Sequence, residues 1–247
     1  MINIINQLAL CAALSSTPNI DMNVSIDDCN VAAQEYSAAL QSLDFSEDDR
    51  DAIARVAFAE AANQGDSGLA GVVYTIINRL ISGQWGNNIT AVVNARNQFE
   101  PVQRAGGWRQ LPALSPTQRT RVDTIINLAL EGRLPDLTNG ALFFQNPDIV
   151  AAREADGAVS KGLTHFGGST PSAVIRDHTF YASINNFGGA RKDTNSPVMV
   201  HVERIPDPEA WDTYGQARSD ELKQTQTWDV FTKGSRDIAV FGLKEEE

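Results

Sequence analysis

The clearest pattern in the chain is a pair of amphipathic helices in its first third. Ser46 is followed by three acidic residues, a sequence typical of a helix N-cap and first turn, where the helix dipole favours negative charge. Apolar residues then recur at helical spacing and predict a helix to about Ala62. The turn-forming residues 65–68 are expected to break it, and a second apolar pattern predicts a helix over residues 69–82, closed by Gly83.

Two further helices are predicted with a loop between them. Residues 89–97 follow a good N-cap, Asn88, and residues 116–131 follow another, Ser115, with proline at the first helical position. Between these helices, residues 98–112 contain a Gly-Gly pair and two prolines. This composition predicts a loop.

The pattern changes after residue 140, where short runs rich in β-branched and aromatic residues alternate with Gly, Pro and Asn. Strands are predicted over residues 141–145, 173–181 and 198–205. Helices followed by strands indicate an α+β fold. We divide the chain into an acidic N-terminal arm (1–45) with a helix near residues 28–43, a central domain (46–185) and a C-terminal extension (186–247).

Composition narrows the possible functions. The chain has 247 residues, of which 42% are hydrophobic, and a net charge of −11. Such an acidic chain is not expected to bind nucleic acid, since that affinity comes largely from neutralised phosphates. No apolar run reaches the roughly 18 residues of a membrane span. Residues 96–121 hold five arginines and one acid, which indicates either a solvated basic face or a local attractor for an anionic ligand.

The N-terminal sequence bears on whether the protein carries an export signal. Residues 8–14 (LALCAAL) have the apolar character of an export-signal core, but no Lys or Arg precedes Arg50, so the positive start of such a signal is missing. We therefore interpret this segment as part of the mature protein. Cys11 and Cys29 are too few for a disulfide framework, and sequence leaves open whether they pair.

Glu60 is the main candidate for chemistry. It shares a helical face with Val56 and Ala57, near the C-terminal end of its predicted helix. Apolar surroundings and the negative end of the helix dipole both raise the pKa of a carboxyl group, as a general acid at neutral pH requires. The alternative is an exposed glutamate at a fraying helix end, or one paired with an arginine such as Arg55.

Five blocks of sequence occur in the order found in one family. They are residues 54–65 (ARVAFAEAANQG), the helix that ends in Ile76-Ile77-Asn78-Arg79, the pair Gln98-Phe99, residues 140–147 (GALFFQNP) and residues 175–181 (IRDHTFY). Together they resemble the SleB/CwlJ-type cell wall hydrolases. The resemblance implies a lysozyme-like catalytic domain, related to lytic transglycosylases, that needs no metal or other cofactor. It places the family's catalytic glutamate at Glu60.

The resemblance also implies a mechanism on bacterial peptidoglycan. Glu60 donates its proton to the glycosidic oxygen that leaves N-acetylmuramic acid, and then accepts the proton of that sugar's C6 hydroxyl as a 1,6-anhydro ring closes. One carboxyl group suffices because the nucleophile belongs to the substrate, whereas most glycosidases use two. Asp66 and Glu100 are the nearest acids in sequence, and either as a second carboxylate would make the enzyme a lysozyme or glucosaminidase.

Further residues are expected to contact the sugars. The candidates are Gln98, Phe144, Asn146, Tyr181 and Trp108. Gln98 has an alternative role as a loop-capping amide, and Trp108 as the anchor of its loop. His178 and Tyr181 cannot share one face of a regular strand. We therefore assign Tyr181 to the cleft and His178 to the core.

Two other classes of function are carried forward. A zinc amidase would use histidines, but His165, His178 and His201 fit no compact zinc signature. A virion structural component would keep the fold without turnover. Because neither an export signal nor a wall-binding repeat is recognised, we expect delivery in or from a phage particle, with residues 1–45 and 186–247 docking to virion proteins. The expected location is a virion or the bacterial cell wall and periplasm.

Overall fold

A computed structural model describes residues 25–184, which are mainly helical as far as residue 130. The helices are α1 (Ile26–Gln41), α2 (Glu47–Ala61), α3 (Gly65–Ser82), α4 (Ile89–Val93), α5 (Glu100–Ala105), α6 (Pro116–Leu130), α7 (Pro147–Ala155) and the short α8 (His165–Gly168). The strands are β1 (Phe143–Gln145), β2 (Ala173–Ile175) and β3 (His178–Tyr181). The predicted α+β class is confirmed. A specific likeness to lysozymes stays a prediction.

Local sequence signals set the helix ends. The Ser46 and Ser115 side chains accept hydrogen bonds from the third backbone N–H of α2 and α6, and the side chains of Asp49 and Gln118 bond back to the cap residues. These are capping boxes, in which two otherwise unsatisfied donors are paired. Gly83 ends α3 in a left-handed conformation, with φ of 69°. The predicted starts of α2 and α6 and the predicted end of α3 are confirmed.

Three predictions about the helical half were wrong. The helix predicted over residues 89–97 is shorter, since α4 ends at Val93. The break between α2 and α3 is the 3-10 turn Ala62–Gln64, and residues 65–68 form the first turn of α3. Residues 98–112, expected to be a loop, contain α5 and the 3-10 turn Trp108–Gln110. A six-residue helix that starts with a Glu-Pro pair is too short to show a hydrophobic period, so composition alone suggested a loop.

The core forms where α2 packs against α3, α4 and α6. Ile53, Ile76 and Ile126 are fully buried there. Helix α1 also contributes apolar side chains, Tyr36 and Leu40, to the same cluster. The division of the chain at residues 45 and 185 stays a prediction, although this part of the N-terminal segment packs on the central helices.

The strands form one antiparallel sheet in the order β1-β3-β2. Phe144 of β1 lies opposite Phe180 of β3. The single strand predicted over residues 173–181 is instead a hairpin, because Arg176 adopts a left-handed φ of 52° and turns the chain between β2 and β3. The strand predicted over residues 198–205 lies outside the described residues.

Asn78 connects three parts of the fold. Its side chain is fully buried and accepts a 2.7 Å hydrogen bond from the Tyr36 hydroxyl of α1. Its Nδ2 donates to Asp136 Oδ2 at 2.9 Å and to the Ala141 carbonyl at 3.3 Å. Because buried polar groups are costly when left unpaired, this network fixes α1, α3 and the segment before β1 in one arrangement.

The arginine-rich stretch, residues 96–121, is largely neutralised within the molecule. Arg109 forms an ion pair with Asp48 at 2.6 Å, and Arg119 forms one with Asp51 at 3.1 Å. The acidic partners lie on α2. The main role of these arginines is therefore to hold acids of the fold, which neither interpretation of the sequence had suggested.

Cys29 in α1 is disulfide-bonded. The other cysteine of the chain, Cys11, lies outside the described residues. Between residues 25 and 184, no helix combines the length and the apolar character that crossing a membrane would require.

Candidate active site

Glu60 lies in the last turn of α2, directly before the 3-10 turn Ala62–Gln64. Its side chain is only partly exposed, beside the fully buried Ala57 and Ala61. Burial and, to a smaller extent, the charge of Glu100 raise the pKa of Glu60, whereas the charge of Arg79 lowers it; together they bring the pKa to about 8. Glu60 therefore carries its proton at neutral pH, which is the state required of a general acid.

The Glu60 carboxyl group has no hydrogen bond or ion pair to any residue between 25 and 184. The sequence suggested Arg55 as an alternative partner of Glu60. Arg55 instead forms an ion pair with Asp51 at 2.8 Å and donates to the Leu111 carbonyl at 2.9 Å. The Glu60 carboxyl is thus free to contact a bound substrate.

The two candidate second carboxylates are both held by arginines. Asp66, in the first turn of α3, pairs with Arg121. Glu100, in the first turn of α5, pairs with Arg153 of α7 at 3.0 Å and with Arg104 of its own helix. Of the two acids, Glu100 is the one whose charge raises the pKa of Glu60. It is therefore the better candidate for a second carboxylate.

A half-open groove of about 240 Å³ lies beside β1. Its walls are mostly apolar and its polar groups include an arginine and an amide; the main lining residues are Phe143, Phe144, Leu163, Phe166, Arg79 and Gln98. The structure thus brings together two of the predicted sugar contacts, Gln98 and Phe144. Glu60 is not among the described lining residues, but Arg79 connects the two features because it lines the groove and its charge acts on Glu60.

Arg79 is a site residue that the sequence did not single out. It is 2% exposed, and its Nε donates to the Leu142 carbonyl at 2.7 Å. The guanidinium lies 4.7 Å from the ring centre of Phe99 and 5.1 Å from that of Trp85. Burial lowers the pKa of Arg79 to about 9. A sequence signal did exist, since Arg79 lies three residues after Ile76, on the apolar face of α3, where charged residues are rarely buried.

Tyr181 lies behind the groove. It is fully buried, its hydroxyl accepts a hydrogen bond from Gln145 Nε2 at 3.3 Å, and its oxygen lies 3.0 Å from His165 Nδ1. Phe166, a wall of the groove, packs edge-on against the Tyr181 ring at 5.1 Å. This placement favours a role for Tyr181 in supporting the groove wall, and its contact with sugar stays a prediction.

Asn146, Trp108 and His178 are not among the described residues that line the groove. Asn146 is the N-cap of α7 and accepts hydrogen bonds from two backbone N–H groups of that helix. Trp108 is 2% exposed, with the Arg109 guanidinium 4.4 Å from its ring centre, so its burial favours the alternative role of loop anchor. His178 lies in the core, where burial lowers its pKa to about 4. Sugar contacts by Asn146 and Trp108 stay predictions that this placement does not favour.

Reciprocal hydrogen bonds join the end of α2 to the β2–β3 hairpin. Gln64 Nε2 donates to Asp177 Oδ2 at 2.9 Å, and the Asp177 backbone N–H donates to Gln64 Oε1 at 3.1 Å. Gln64 is 3% exposed. The pair fixes the segment after Glu60 against the hairpin. Both residues fall inside the sequence blocks noted above, but their partnership is not visible from either block alone.

Among the residues that the structure describes, no group of His, Cys, Asp and Glu side chains is arranged to hold a metal ion. His201, one of the histidines considered for a zinc site, lies outside them.

Comparison with known proteins identifies one family. Residues 63–181 match the model of the family described as Cell Wall Hydrolase. The matched segment runs from the 3-10 turn through β3 and includes Arg79 and most of the groove walls, but it starts three residues after Glu60. No curated protein and no solved structure matches the chain significantly. Residues 63–181, just under half of the chain, are therefore similar to the family of cell wall hydrolases.

Proposed function

We propose that this chain cleaves the glycan strand of bacterial peptidoglycan as a lytic transglycosylase. The observation that carries the proposal is the Glu60 carboxyl group, which has no protein partner among the described residues and whose pKa is raised to about 8. The family match supplies the substrate class. Glu60 acts first as the acid and then as the base.

In the first step, Glu60 donates its proton to the oxygen that links C1 of N-acetylmuramic acid to the next sugar. The C1–O bond breaks, and the departing sugar leaves with a hydroxyl group. In the second step, the C6 oxygen of the muramic acid bonds to C1, and the Glu60 carboxylate accepts the proton of the C6 hydroxyl. Glu60 is protonated again, and no water is consumed.

The surroundings of Glu60 suit both steps. Burial and the charge of Glu100 favour the protonated form that starts the reaction. The Arg79 charge favours the carboxylate and so stabilises the form present between the two proton transfers. A pKa near the working pH serves a group that must give and take a proton in one cycle.

A hydrolytic reaction is the second candidate, and Glu100 is the reason to consider it. Its charge acts on Glu60, and arginines hold its carboxylate in place. In that case Glu100 would activate a water molecule to attack C1, as the second carboxylate does in inverting glycosidases.

Mass spectrometry of the products from purified peptidoglycan tests these reactions. We expect fragments that end in 1,6-anhydro-muramic acid, and we expect a Glu100→Gln variant to release the same ends. Fragments one water heavier, lost in Glu100→Gln, would show a hydrolase. Freed peptide stems would show an amidase, and the absence of products from folded protein would show a structural component.

We also propose that the enzyme is carried by, or released with, a phage particle, and that residues 1–45 and 186–247 dock to other virion proteins. The support is the absence of a recognised wall-binding repeat in the sequence and the end of the family match at residue 181. Proteomics of purified particles is the test. Equal abundance of the chain in particles and in a mock preparation from uninfected cells would contradict it.

A further inference from the structure

Arg79 is a buried cation with unused hydrogen-bond donors. A guanidinium has five N–H groups, and a single one, at Nε, donates to a described acceptor, the Leu142 carbonyl. Arg79 Nη1 is buried without a partner, and no described carboxylate lies within ion-pair distance. Because such groups are rarely left unpaired and are costly to bury, the arrangement indicates an acceptor supplied by a ligand.

The guanidinium is held in one orientation. The Leu142 carbonyl fixes Nε, and the rings of Phe99 and Trp85 lie against the guanidinium. A donor fixed in this way loses little conformational entropy when it binds an acceptor. Arg79 also lines the groove beside β1, a cavity large enough for part of a sugar.

The charge at this position is uncompensated at neutral pH. Glu60, the acid whose charge most directly opposes that of Arg79, is protonated because its pKa is about 8. Glu100 already forms ion pairs with other arginines. The groove therefore favours a ligand group with a carboxyl oxygen for Arg79 and a small apolar part for the walls at Phe143 and Phe144.

We propose that this groove binds the 3-O-lactyl group of N-acetylmuramic acid, with the lactyl carboxyl oxygen, free or amidated, on Arg79 and the lactyl methyl against the phenylalanine walls. The inference rests on the proposed glycan substrate. The lactyl group is the one substituent by which muramic acid differs from N-acetylglucosamine, so Arg79 would select which of the two alternating sugars lies beside Glu60.

Ligand titration of the full chain by NMR tests the proposal without any turnover. The probes are N-acetylmuramic acid and N-acetylglucosamine, a pair that differs only in the lactyl group. We expect the muramic acid to bind about tenfold more tightly or better, as a charge-assisted hydrogen bond predicts. Equal affinities for the two sugars in the unchanged protein would overturn the proposal.

Two arginine variants test whether Arg79 is the source of the preference for N-acetylmuramic acid. Arg79→Met is expected to bind both sugars equally, whereas Arg96→Met, which removes an exposed arginine near Gln98, is expected to keep the preference. A folded Arg79→Met that keeps the preference overturns the proposal. If Arg79→Met does not fold, Leu163→Trp is used instead, because it fills the groove from a partly exposed wall. Loss of the preference for muramic acid in Leu163→Trp would support the proposal, and a retained preference would overturn it.

The outcomes that would reject the proposed function differ from those that would reject the lactyl site. Anhydro-ended products together with equal binding of the two sugars would retain the reaction and reject the lactyl site. A preference for muramic acid that depends on Arg79, without any products, would retain the site and reject the reaction.

Discussion

Replacement of Glu60 by glutamine is expected to abolish wall lysis, with a rate about 10²–10⁴-fold below that of the unchanged protein. Glutamine keeps the size of the side chain but has no acidic proton to give to the glycosidic oxygen. The rate is measured as the clearing of a peptidoglycan suspension. Glu131→Gln is the matched control, because Glu131 also lies at the C-terminal end of a helix but is exposed and pairs with Arg133 at the surface. Retained lysis in Glu60→Gln would contradict the assignment.

The pH dependence of the unchanged protein gives an independent check on Glu60. The reaction starts from the protonated acid, whose pKa is raised to about 8. Lysis is therefore expected to fall as the pH rises through about 8. Glu131→Gln is expected to show the same profile. A loss of activity centred near the ordinary glutamate pKa of 4.5 would show that the pKa of the acid is not raised by its surroundings.

The Glu60→Gln substitution should also stabilise the fold at neutral pH. Because the pKa of Glu60 is about 8 in the fold and near 4.5 when unfolded, the folded chain binds one more proton than the unfolded chain between these values. The free energy of unfolding therefore falls as pH rises from about 4.5 to 8. Glutamine does not titrate, so Glu60→Gln is expected to gain about 1–3 kcal/mol at pH 7, measured by chemical denaturation.

Replacement of Asn78 by aspartate is expected to lower the free energy of unfolding by about 3–5 kcal/mol, the range found when a buried charge loses its compensation. The Asn78 amide now donates to Asp136 Oδ2 at 2.9 Å. Aspartate has the same shape but would place a second carboxylate against Asp136 in a fully buried position. The loss is measured by urea unfolding and should be smaller at low pH, where one of the two carboxyl groups can be protonated.

Asn127→Asp is the matched control for that substitution. Asn127 is exposed on α6 and accepts a hydrogen bond from Arg50 at 2.9 Å. A carboxylate there would face an arginine, so the free energy of unfolding is expected to change by less than about 1 kcal/mol. Equal losses in the two variants would show that the contact between Asn78 and Asp136 is not what holds this part of the fold.

Local sequence signals predicted the parts of the fold that depend on neighbouring residues. The capping serines, Ser46 and Ser115, fixed the starts of α2 and α6, because a cap and its third residue are determined within one turn. The position of Glu60 near the end of α2 followed in the same way from helical spacing. Its raised pKa agrees with what an apolar helical face predicts.

Features that depend on distant residues were missed. Arg79 ends an apolar helix in the sequence, but its environment comes from Trp85, Phe99 and Leu142, which only the folded chain brings together. The burial of Trp108 was also not visible in the sequence, where an aromatic residue in an apparent loop suggested a sugar contact, a role that stays a prediction. Burial of a single side chain is set by tertiary packing, and short sequence patterns carry little information about it.

The hydrogen bonds between Gln64 and Asp177 span 113 positions of the chain. During translation, the helix that carries Glu60 leaves the ribosome long before the hairpin that fixes the segment behind it. The segment that follows Glu60 therefore cannot form these hydrogen bonds until the hairpin between β2 and β3 has emerged. A nascent or prematurely ended chain would carry the acid without the frame that holds it in place.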